Sequence, residues 1–187
     1  AALVVSSIRG LLEQLSSTAE KPGEFITKLN KQFSSIFRIK ERFMFVSCFY
    51  CVLDFKDKQI YFTNAGHPPP YIINTEDATV SPLNNADDIH FPAVGLTPDT
   101  VFETRSYPMQ ENDLLFLYTD GIYEALNDEK EEYGLDRLKQ SLKQYAALPP
   151  NKLLLALLEN VKYFAQRNEF EDDVCILTVG FNTKKNN

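Results

Sequence analysis

Residues 43–64, FMFVSCFYCVLDFKDKQIYFTN, predict a β-hairpin. The first half is rich in aromatic and β-branched residues, and both of its alternating faces are largely apolar. This pattern is typical of a strand that is buried on both sides. A polar turn follows at Lys56, Asp57 and Lys58, and residues 59–64 return as the second strand. We therefore expect the hairpin to belong to an antiparallel sheet.

Two helices are predicted before the hairpin, within residues 1–37. The first repeats apolar side chains at helical spacing, at Val4, Ile8, Leu11 and Leu15. The second begins near Pro22, which suits a first helical turn, and its apolar face is predicted at Phe25, Leu29, Phe33 and Ile36. Packing on the sheet is the favoured role of both helices. The alternative is that they also transmit a signal from an upstream domain or contact a partner subunit.

The rest of the chain is predicted to form several strands, then two helices, and then a final strand. Short strands are predicted at residues 71–73, 102–107, 114–118 and 174–181. Residues 74–100 are polar and contain prolines, so we expect little regular structure there. Two helices are predicted within 134–167, separated by Pro149 and Pro150. With the sheet region at about 43–120, this order predicts an α+β protein that forms one partial domain over residues 1–187.

Composition limits the classes of function. The chain has 187 residues and a formal net charge of −7, which argues against a nucleic-acid partner and against an anionic membrane surface. No apolar run reaches the roughly 20 residues that span a bilayer, and no signal peptide is evident. We expect a cytoplasmic protein. Because the chain starts at Ala1 without Met, we expect a piece of a longer protein, whose other regions can include a membrane anchor.

The three cysteines, Cys48, Cys51 and Cys175, lie in apolar runs. Cys48 and Cys51 form a C-x-x-C pair, but residues three apart on a strand point to opposite faces. No second pair of Cys or His completes a zinc site. The pattern predicts buried, reduced thiols.

Carboxylates stand at the ends of two apolar strands. Asp120 follows residues 114–119 and precedes Gly121, which permits close backbone approach to a ligand. Asp172 and Asp173 follow Glu171 and precede the last strand. Adjacent acids are costly in a folded core unless a positive group binds them. Either site alone can also be an ordinary turn, an Asp-Gly turn in the first case and a solvated acidic turn in the second.

Together the two acidic sites favour metal chemistry. Carboxylate oxygens suit Mg²⁺ or Mn²⁺ better than zinc or copper, and a pair of such ions can activate water and neutralise a phosphoryl group. A cysteine nucleophile with a partner histidine is not evident, and the chain has no G-x-S-x-G nucleophile elbow. A Ser-His-Asp triad stays open.

Residues 64–70, NAGHPPP, predict a rigid turn between two strands. Gly66 permits unusual backbone angles, and the three prolines restrict the chain that follows. His67 can orient a loop through a hydrogen bond, and a structural role is favoured over a catalytic one.

Four segments in this order resemble the SpoIIE/RsbU branch of the type 2C-like serine phosphatases. They are residues 64–70, NAGHPPP; residues 113–122, DLLFLYTDGI, followed by Glu124, Ala125 and Asn127; Tyr133-Gly134 with Arg137-Leu138; and Asp172-Asp173 before the terminal strand. Residues 92–96, PAVGL, are also similar to a family segment. The resemblance covers essentially the whole chain.

The resemblance implies an antiparallel β-sandwich flanked by helices and a reaction in which metal-activated water hydrolyses phosphoserine or phosphothreonine. The implied substrate is a small phosphorylated anti-anti-sigma protein, and the implied cofactors are two Mn²⁺ or Mg²⁺ ions. By position, Asp120 and Asp172 match metal ligands, so their carboxylate oxygens should lie within about 4 to 6 Å of each other around bound metal. Supporting roles are implied for Gly121, Asp173, Asn64, Gly66 and His67.

The chain also departs from the family. The family's first metal motif, Gly-Asp-aromatic-x-Asp, and its second glycine-rich aspartate motif are both missing. We therefore expect the chain to begin inside the domain, to lack the N-terminal strands and at least one metal ligand, and to be inactive alone. We also expect an upstream sensor or receiver domain in the parent protein. The uncovered sheet edge predicts either a homodimer or a rearranged N-terminal region.

Two alternative functions were weighed. A non-catalytic relative that only binds a signalling partner stays open, and the upstream metal motif would discriminate between it and the enzyme. A haloacid-dehalogenase type of phosphatase is disfavoured, because that chemistry needs a nucleophilic Asp where this chain has Tyr118.

Overall fold

The computed structural model describes residues 2–37, 44–83 and 91–180. The predicted strand ends at Phe43 and Phe181 lie outside these residues. In chain order the elements are α1 (Ala2–Gln14), a 3-10 helix (Ser16–Thr18), α2 (Pro22–Phe37), β1 (Cys48–Asp54), β2 (Gln59–Ala65), β3 (Tyr71–Asn74), β4 (Val80–Pro82), β5 (Arg105–Pro108), β6 (Asp113–Tyr118), α3 (Asp120–Tyr123), α4 (Gly134–Tyr145), α5 (Pro150–Ala165) and β7 (Ile176–Gly180).

The chain divides into two compact units. The first is formed by Ala1–His67 and Asn85–Met109, and the second by Pro68–Asn84 and Gln110–Asn187. Each unit has its own antiparallel sheet, with order β1-β2-β5 in the first and β4-β3-β6-β7 in the second. The prediction of one partial domain over residues 1–187 stays a prediction.

In the first unit, α2 contributes more buried side chains to the apolar core than any other element. Phe25, Ile26 and Phe33 are almost fully buried there, and each such side chain stabilises the fold by roughly 1.5–3 kcal/mol through burial alone. Phe25 stacks on Tyr50 of β1 with ring centroids 4.5 Å apart. Ile36, which the sequence places on the same face, is 46% exposed, whereas the next residue, Phe37, packs against the core and lies with its ring centroid 4.6 Å from that of Phe33.

A buried amide ties α2 to the loop that follows residue 91. Asn30 is fully buried. Its Nδ2 donates to the carbonyls of Thr97 and Pro98 at 2.9 and 3.1 Å, and its Oδ1 accepts from the Gly95 amide at 2.7 Å. Since every polar atom of this side chain is used, Asn30 can be buried without the cost of an unmet hydrogen bond.

In the second unit, the four-stranded sheet packs with α4 and α5 around one apolar cluster. Its fully buried members include Ile73, Phe116, Leu138, Leu153 and Leu157. A polar network crosses this core, in which the Tyr133 hydroxyl lies 2.6 Å from both Ser141 Oγ and Asn160 Oδ1. The network joins the two helices by directional bonds as well as by apolar packing.

The predicted α+β class, with antiparallel sheets and flanking helices, is confirmed. The hairpin pairs Cys48 with Ala65 and Asp54 with Gln59. Several details differ: β1, β5 and β7 begin later than predicted, and the polar excursion contains the short strand β4. The prediction that the first strand is buried on both sides is wrong, because β1 is an outer strand of its three-stranded sheet and is only partly buried along its length.

The prediction of three buried thiols is wrong for Cys175, which is exposed, and holds only in part for Cys48 and Cys51, which are partly buried. Cys175 directly precedes β7, the outer strand of its sheet, so strands cover it on one side only. Among the described residues, no helix combines the length and the apolar character that crossing a bilayer requires.

Candidate metal centre

Strand pairing brings the two acidic segments together. β6 and β7 are antiparallel neighbours, and their last paired residues are Tyr118 and Ile176. Because the C-terminal end of β6 meets the N-terminal end of β7 there, the turn at Asp120 lies beside the segment that contains Asp172 and Asp173. Both segments belong to the second unit.

Short contacts join the two segments. The Thr119 amide donates to the Cys175 carbonyl at 3.0 Å, and the Cys175 amide donates to Thr119 Oγ1 at 2.9 Å. At Gly121, a Cβ atom would lie only 2.8 Å from the Asp173 carbonyl oxygen. The absence of a side chain at Gly121 therefore allows the two backbone segments to approach each other, and the predicted approach of this glycine to a ligand stays a prediction.

Each candidate ligand uses one carboxylate oxygen on its own backbone. Asp120 Oδ1 accepts from the Gly121 amide at 3.1 Å, and Asp172 Oδ1 accepts from the Asp173 amide at 2.8 Å. Both side chains are exposed to solvent. Since neither Oδ2 makes a hydrogen bond to the described part of the chain, one oxygen of each aspartate is available to a cation.

The donor set fits part of a site for a hard divalent cation. Two exposed carboxylates match the oxygen preference of Mg²⁺ and Mn²⁺, and Mg²⁺ commonly keeps several waters while one or two carboxylates hold it. Within the described residues, no group of three or more His, Cys, Asp or Glu side chains is arranged to hold a metal ion. The assignment of Asp120 and Asp172 as ligands stays a prediction.

A cavity of about 200 Å³ adjoins the acidic segments, with Gly121 and Asp172 in its wall. Glu124 also lines it, one helical turn after Asp120, and the Glu124 amide donates to the Asp120 carbonyl at 2.9 Å. Two cations, Lys162 and Arg167, line the same cavity. It is smaller than the roughly 300–1,000 Å³ of a drug-sized ligand site, so it has room for one side chain.

The two cations of the cavity are already engaged in different ways. Arg167 forms an ion pair with Glu171, and the Lys162 ammonium lies 5.9 Å from the centroid of the Phe170 ring. Sequence reasoning did not single out these two residues. Lys162 lies in the last turn of α5, and the position of Arg167 depends on the end of that helix, where Gln166 adopts a left-handed conformation with φ of 54°, which no local pattern predicts for glutamine.

The negative field of the acidic segments acts on a neighbouring phenol. Burial raises the pKa of Tyr123 above its ordinary value, and the charges of Glu124, Asp120 and Glu132 raise it further. Tyr123 is therefore a neutral hydrogen-bonding group at physiological pH and not a source of negative charge.

The turn at residues 64–67 belongs to the first unit. The Asn64 side chain closes it, because Nδ2 donates to the His67 carbonyl and Oδ1 accepts from the His67 amide, both at 2.8 Å. Gly66 has φ of 71°, and a Cβ atom there would lie 3.0 to 3.1 Å from Ala93. These contacts give Asn64 and Gly66 structural roles in the turn. A supporting role of Asn64, Gly66 and His67 at a metal site stays a prediction.

Comparison with known proteins identifies relatives over nearly the whole chain. The family model described as Stage II sporulation protein E (SpoIIE) matches residues 1–182. The phosphoserine phosphatase RsbP of Bacillus subtilis is 25% identical over 179 residues, which cover 95% of this chain and 41% of RsbP. Protein IcfG of Synechocystis is 32% identical over 99 residues, 53% of this chain and 15% of IcfG. The chain thus spans less than half the length of either curated relative.

Solved structures share the fold. The SiaA-PP2C domain of Pseudomonas aeruginosa has a TM-score of 0.74 at 18% identity, over 97% of this chain and 68% of that one. The RsbU and RsbW domains of a Mycobacterium tuberculosis protein give 0.70 at 22% identity, over 95% and 47%. The phosphatase domain of SpoIIE from Bacillus subtilis, presoaked with Mn, gives 0.59 at 18% identity, over 96% and 76%. The predicted type 2C-like phosphatase fold is confirmed.

Proposed function

The chain belongs to the SpoIIE family, and from that membership we propose that it is part of a metal-dependent protein phosphatase that hydrolyses phosphoserine or phosphothreonine. The observation that carries the proposal is the contact between the Asp120 and Asp173 segments through Thr119 and Gly121. It supports the proposal because the two contacting segments carry Asp120 and Asp172, whose carboxylates are of the kind that bind Mg²⁺ or Mn²⁺.

Asp120 and Asp172 are the residues that would hold Mn²⁺ or Mg²⁺. When bound, a pair of such ions activates water and offsets the charge of a phosphoryl group. The Oδ2 atoms of both aspartates make no hydrogen bond to the described residues, so they are free to bind a cation. The adjoining cavity has room for one side chain of a protein substrate, next to its phosphorylated residue.

The substrate we propose is a small phosphorylated regulatory protein of the anti-anti-sigma type. The support comes from the relatives, which include a phosphoserine phosphatase and a protein that carries RsbU and RsbW domains together. The same relatives are much longer than this chain, which supports a parent protein with a sensor or receiver domain. We place the domain in the cytoplasm and keep a homodimer as a possible assembly.

We also propose that residues 1–187 alone have little activity. Asp120 and Asp172 contribute two negative charges against the four positive charges of two divalent ions. No third ligand side chain joins them within the described residues, so water would fill the remaining positions. A site of this kind holds its ions weakly and leaves little charge to compensate them.

The lack of a third ligand side chain among the described residues favours a second candidate function, a phosphatase-like domain that binds a signalling partner without catalysis. Such a protein would keep the fold and the cavity and would not need a complete ligand set. The two candidates differ in one measurable property, the dependence of phosphate release on the two aspartates.

The test measures phosphate release by the natural full-length protein, with a phosphoserine-containing anti-anti-sigma protein as substrate and Mn²⁺ in excess. Asp120→Asn and Asp172→Asn should each lower kcat/KM by about 100-fold or more, because losing a metal ligand removes several kcal/mol of transition-state stabilisation. The matched control is Asp128→Asn, an exposed aspartate of the same unit with no side-chain hydrogen bond to the described residues. Undiminished activity in both ligand variants would reject the metal-site assignment. Tight substrate binding without phosphate release would favour the second candidate.

A further inference from the structure

Thr119 occupies the N-cap position of α3, yet its hydroxyl does not cap the helix. Its backbone is extended, with φ of −99° and ψ of 167°, and the side chain makes no capping hydrogen bond. Threonine at this position ordinarily bonds to an amide of the first helical turn. Here Oγ1 accepts instead from the amide of Cys175, across the sheet.

The backbone explains why the hydroxyl is needed there. In an antiparallel sheet, a hydrogen-bonded pair of residues exchanges two N–H···O bonds. Thr119 and Cys175 make the first of these, from the Thr119 amide to the Cys175 carbonyl. The Thr119 carbonyl is taken by the Ile122 amide at the start of α3, at 3.3 Å. The hydroxyl therefore replaces the missing carbonyl as the acceptor of the Cys175 amide.

A second contact of the same hydroxyl reaches the acidic segment itself. Thr119 Oγ1 lies 3.3 Å from the Asp173 carbonyl oxygen, to which it can donate. The Thr119 hydroxyl thus accepts a hydrogen bond from the Cys175 amide and can donate one to the carbonyl of Asp173, the residue directly after Asp172. Gly121 completes the contact, because a Cβ atom there would collide with the Asp173 carbonyl at 2.8 Å and approach Val174 Cγ2 to 3.1 Å.

We propose that Thr119 is a positioning residue that sets the spacing between the Asp120 turn and the Asp172–Asp173 segment through its side-chain hydroxyl. The inference rests on the proposed function, in which the spacing of the two segments determines how the aspartates bind a cation. Thr119 would act through the two aspartates and not as a ligand. Because Mg²⁺ demands near-ideal octahedral geometry whereas Ca²⁺ accepts flexible coordination, loss of the hydroxyl should weaken Mg²⁺ binding more than Ca²⁺ binding.

The experiment compares the full 187-residue chain with Thr119→Val, which keeps the shape and removes the hydroxyl, and Thr119→Ser, which keeps the hydroxyl. Thr178→Val is the matched control, since Thr178 lies on β7 and its hydroxyl makes no hydrogen bond to the described residues. Exchange of the Cys175 amide and the shifts of amide signals on addition of Mg²⁺ or Ca²⁺ are followed by NMR. Thr119→Ala serves if Thr119→Val does not fold.

In Thr119→Val we expect the Cys175 amide to exchange about tenfold faster, which is the effect of one lost hydrogen bond. Mg²⁺ affinity should fall by about tenfold, as for residues that orient metal ligands, and Ca²⁺ affinity by less than about threefold. Thr119→Ser and Thr178→Val should behave like the unmodified chain. A general loss of stability would not change the ratio of the two affinities.

Two results would overturn the inference: unchanged exchange of the Cys175 amide in Thr119→Val, or Mg²⁺ and Ca²⁺ affinities that change equally. Failure of the proposed function has a different signature. In that case the natural full-length protein would release no phosphate in excess Mn²⁺, while faster exchange of the Cys175 amide in Thr119→Val would still show that the hydroxyl holds the two segments together.

Discussion

The three cysteines lie in different surroundings, and this difference can be measured. Burial raises the pKa of the Cys48 thiol to about 11, and burial raises the pKa of Cys51 as well. Cys175 is exposed, directly precedes the outer strand β7, and lies three residues after the candidate ligand Asp172. Thiolate is the reactive form of cysteine, so reactivity should follow both exposure and pKa.

At pH 8 we expect iodoacetamide to modify Cys175 first and Cys48 last, because roughly one Cys48 thiol in a thousand is ionised three pH units below its pKa. The rate at Cys48 should rise as the pH approaches 11. The protonated thiol is favoured by the folded state, so its contribution to stability is complete below the ordinary value of 9.0 and is lost as the pH rises through about 11. Mass spectrometry after timed labelling checks the order, and equal rates at Cys48 and Cys175 at pH 8 would contradict it.

At the scale of residues, positions at strand ends pointed to Asp120, Asp172 and Asp173 as candidates, and the family resemblance selected Asp172, but no pattern pointed to Thr119. The role of that hydroxyl depends on Cys175, which is 56 residues away, and no local pattern contains such a contact. Glu124 was accessible to sequence reasoning, because its spacing of four from Asp120 puts both on one side of a helical turn. Lys162 and Arg167 were not.

At the scale of elements, two helical glycines should respond to alanine in opposite ways. Gly10 of α1 is exposed, and a Cβ atom there meets nothing within 4 Å. Gly23 of α2 is buried, and its Cβ would lie 2.6 Å from both the Phe102 carbonyl oxygen and the Thr104 amide nitrogen. Helix propensity favours alanine at both positions, but the backbone atoms near Gly23 cannot move aside easily.

We therefore expect Gly10→Ala to raise the free energy of unfolding by about 0.5–1 kcal/mol and Gly23→Ala to lower it by about 1–3 kcal/mol. Each variant serves as the control for the other, since the chemical change is the same. Urea unfolding followed by circular dichroism measures both. Stabilisation by Gly23→Ala would show that α2 can shift away from the Phe102 to Thr104 backbone at little cost.

Element types were more predictable than the faces they bury. In α5, helical spacing predicts an apolar face at Leu154, Leu158, Val161 and Ala165. Val161 and Ala165 are buried, but Leu154 and Leu158 are only partly buried, and Leu153 and Leu157 are fully buried in their place. Residues 153–158 read LLLALL, so several faces of this helix are equally apolar. Periodicity then cannot choose among them, and packing against the sheet decides.

At the scale of the whole molecule, the class of fold was predictable and the order of strands was not. Alternation of apolar residues marked most strands, and the hairpin joined the first two. The pairing of β2 with β5, and the place of β6 between β3 and β7, join residues far apart in the chain. Such pairings depend on the entropy of closing long loops and on how well the faces of the strands pack. Neither property can be read from a short segment of the sequence.

The central claim is that Asp120 and Asp172 bind divalent cations between the ends of β6 and β7. Paramagnetic broadening by Mn²⁺ in a ¹⁵N-labelled 187-residue chain tests it most directly, because even weakly bound Mn²⁺ broadens the amide signals nearest to it. We expect the signals of Gly121 and Asp173 to broaden first, equally in the unmodified chain and in Asp128→Asn, and to stay sharp in Asp172→Asn. Broadening that begins elsewhere, or that persists at Gly121 in Asp172→Asn, would contradict the claim.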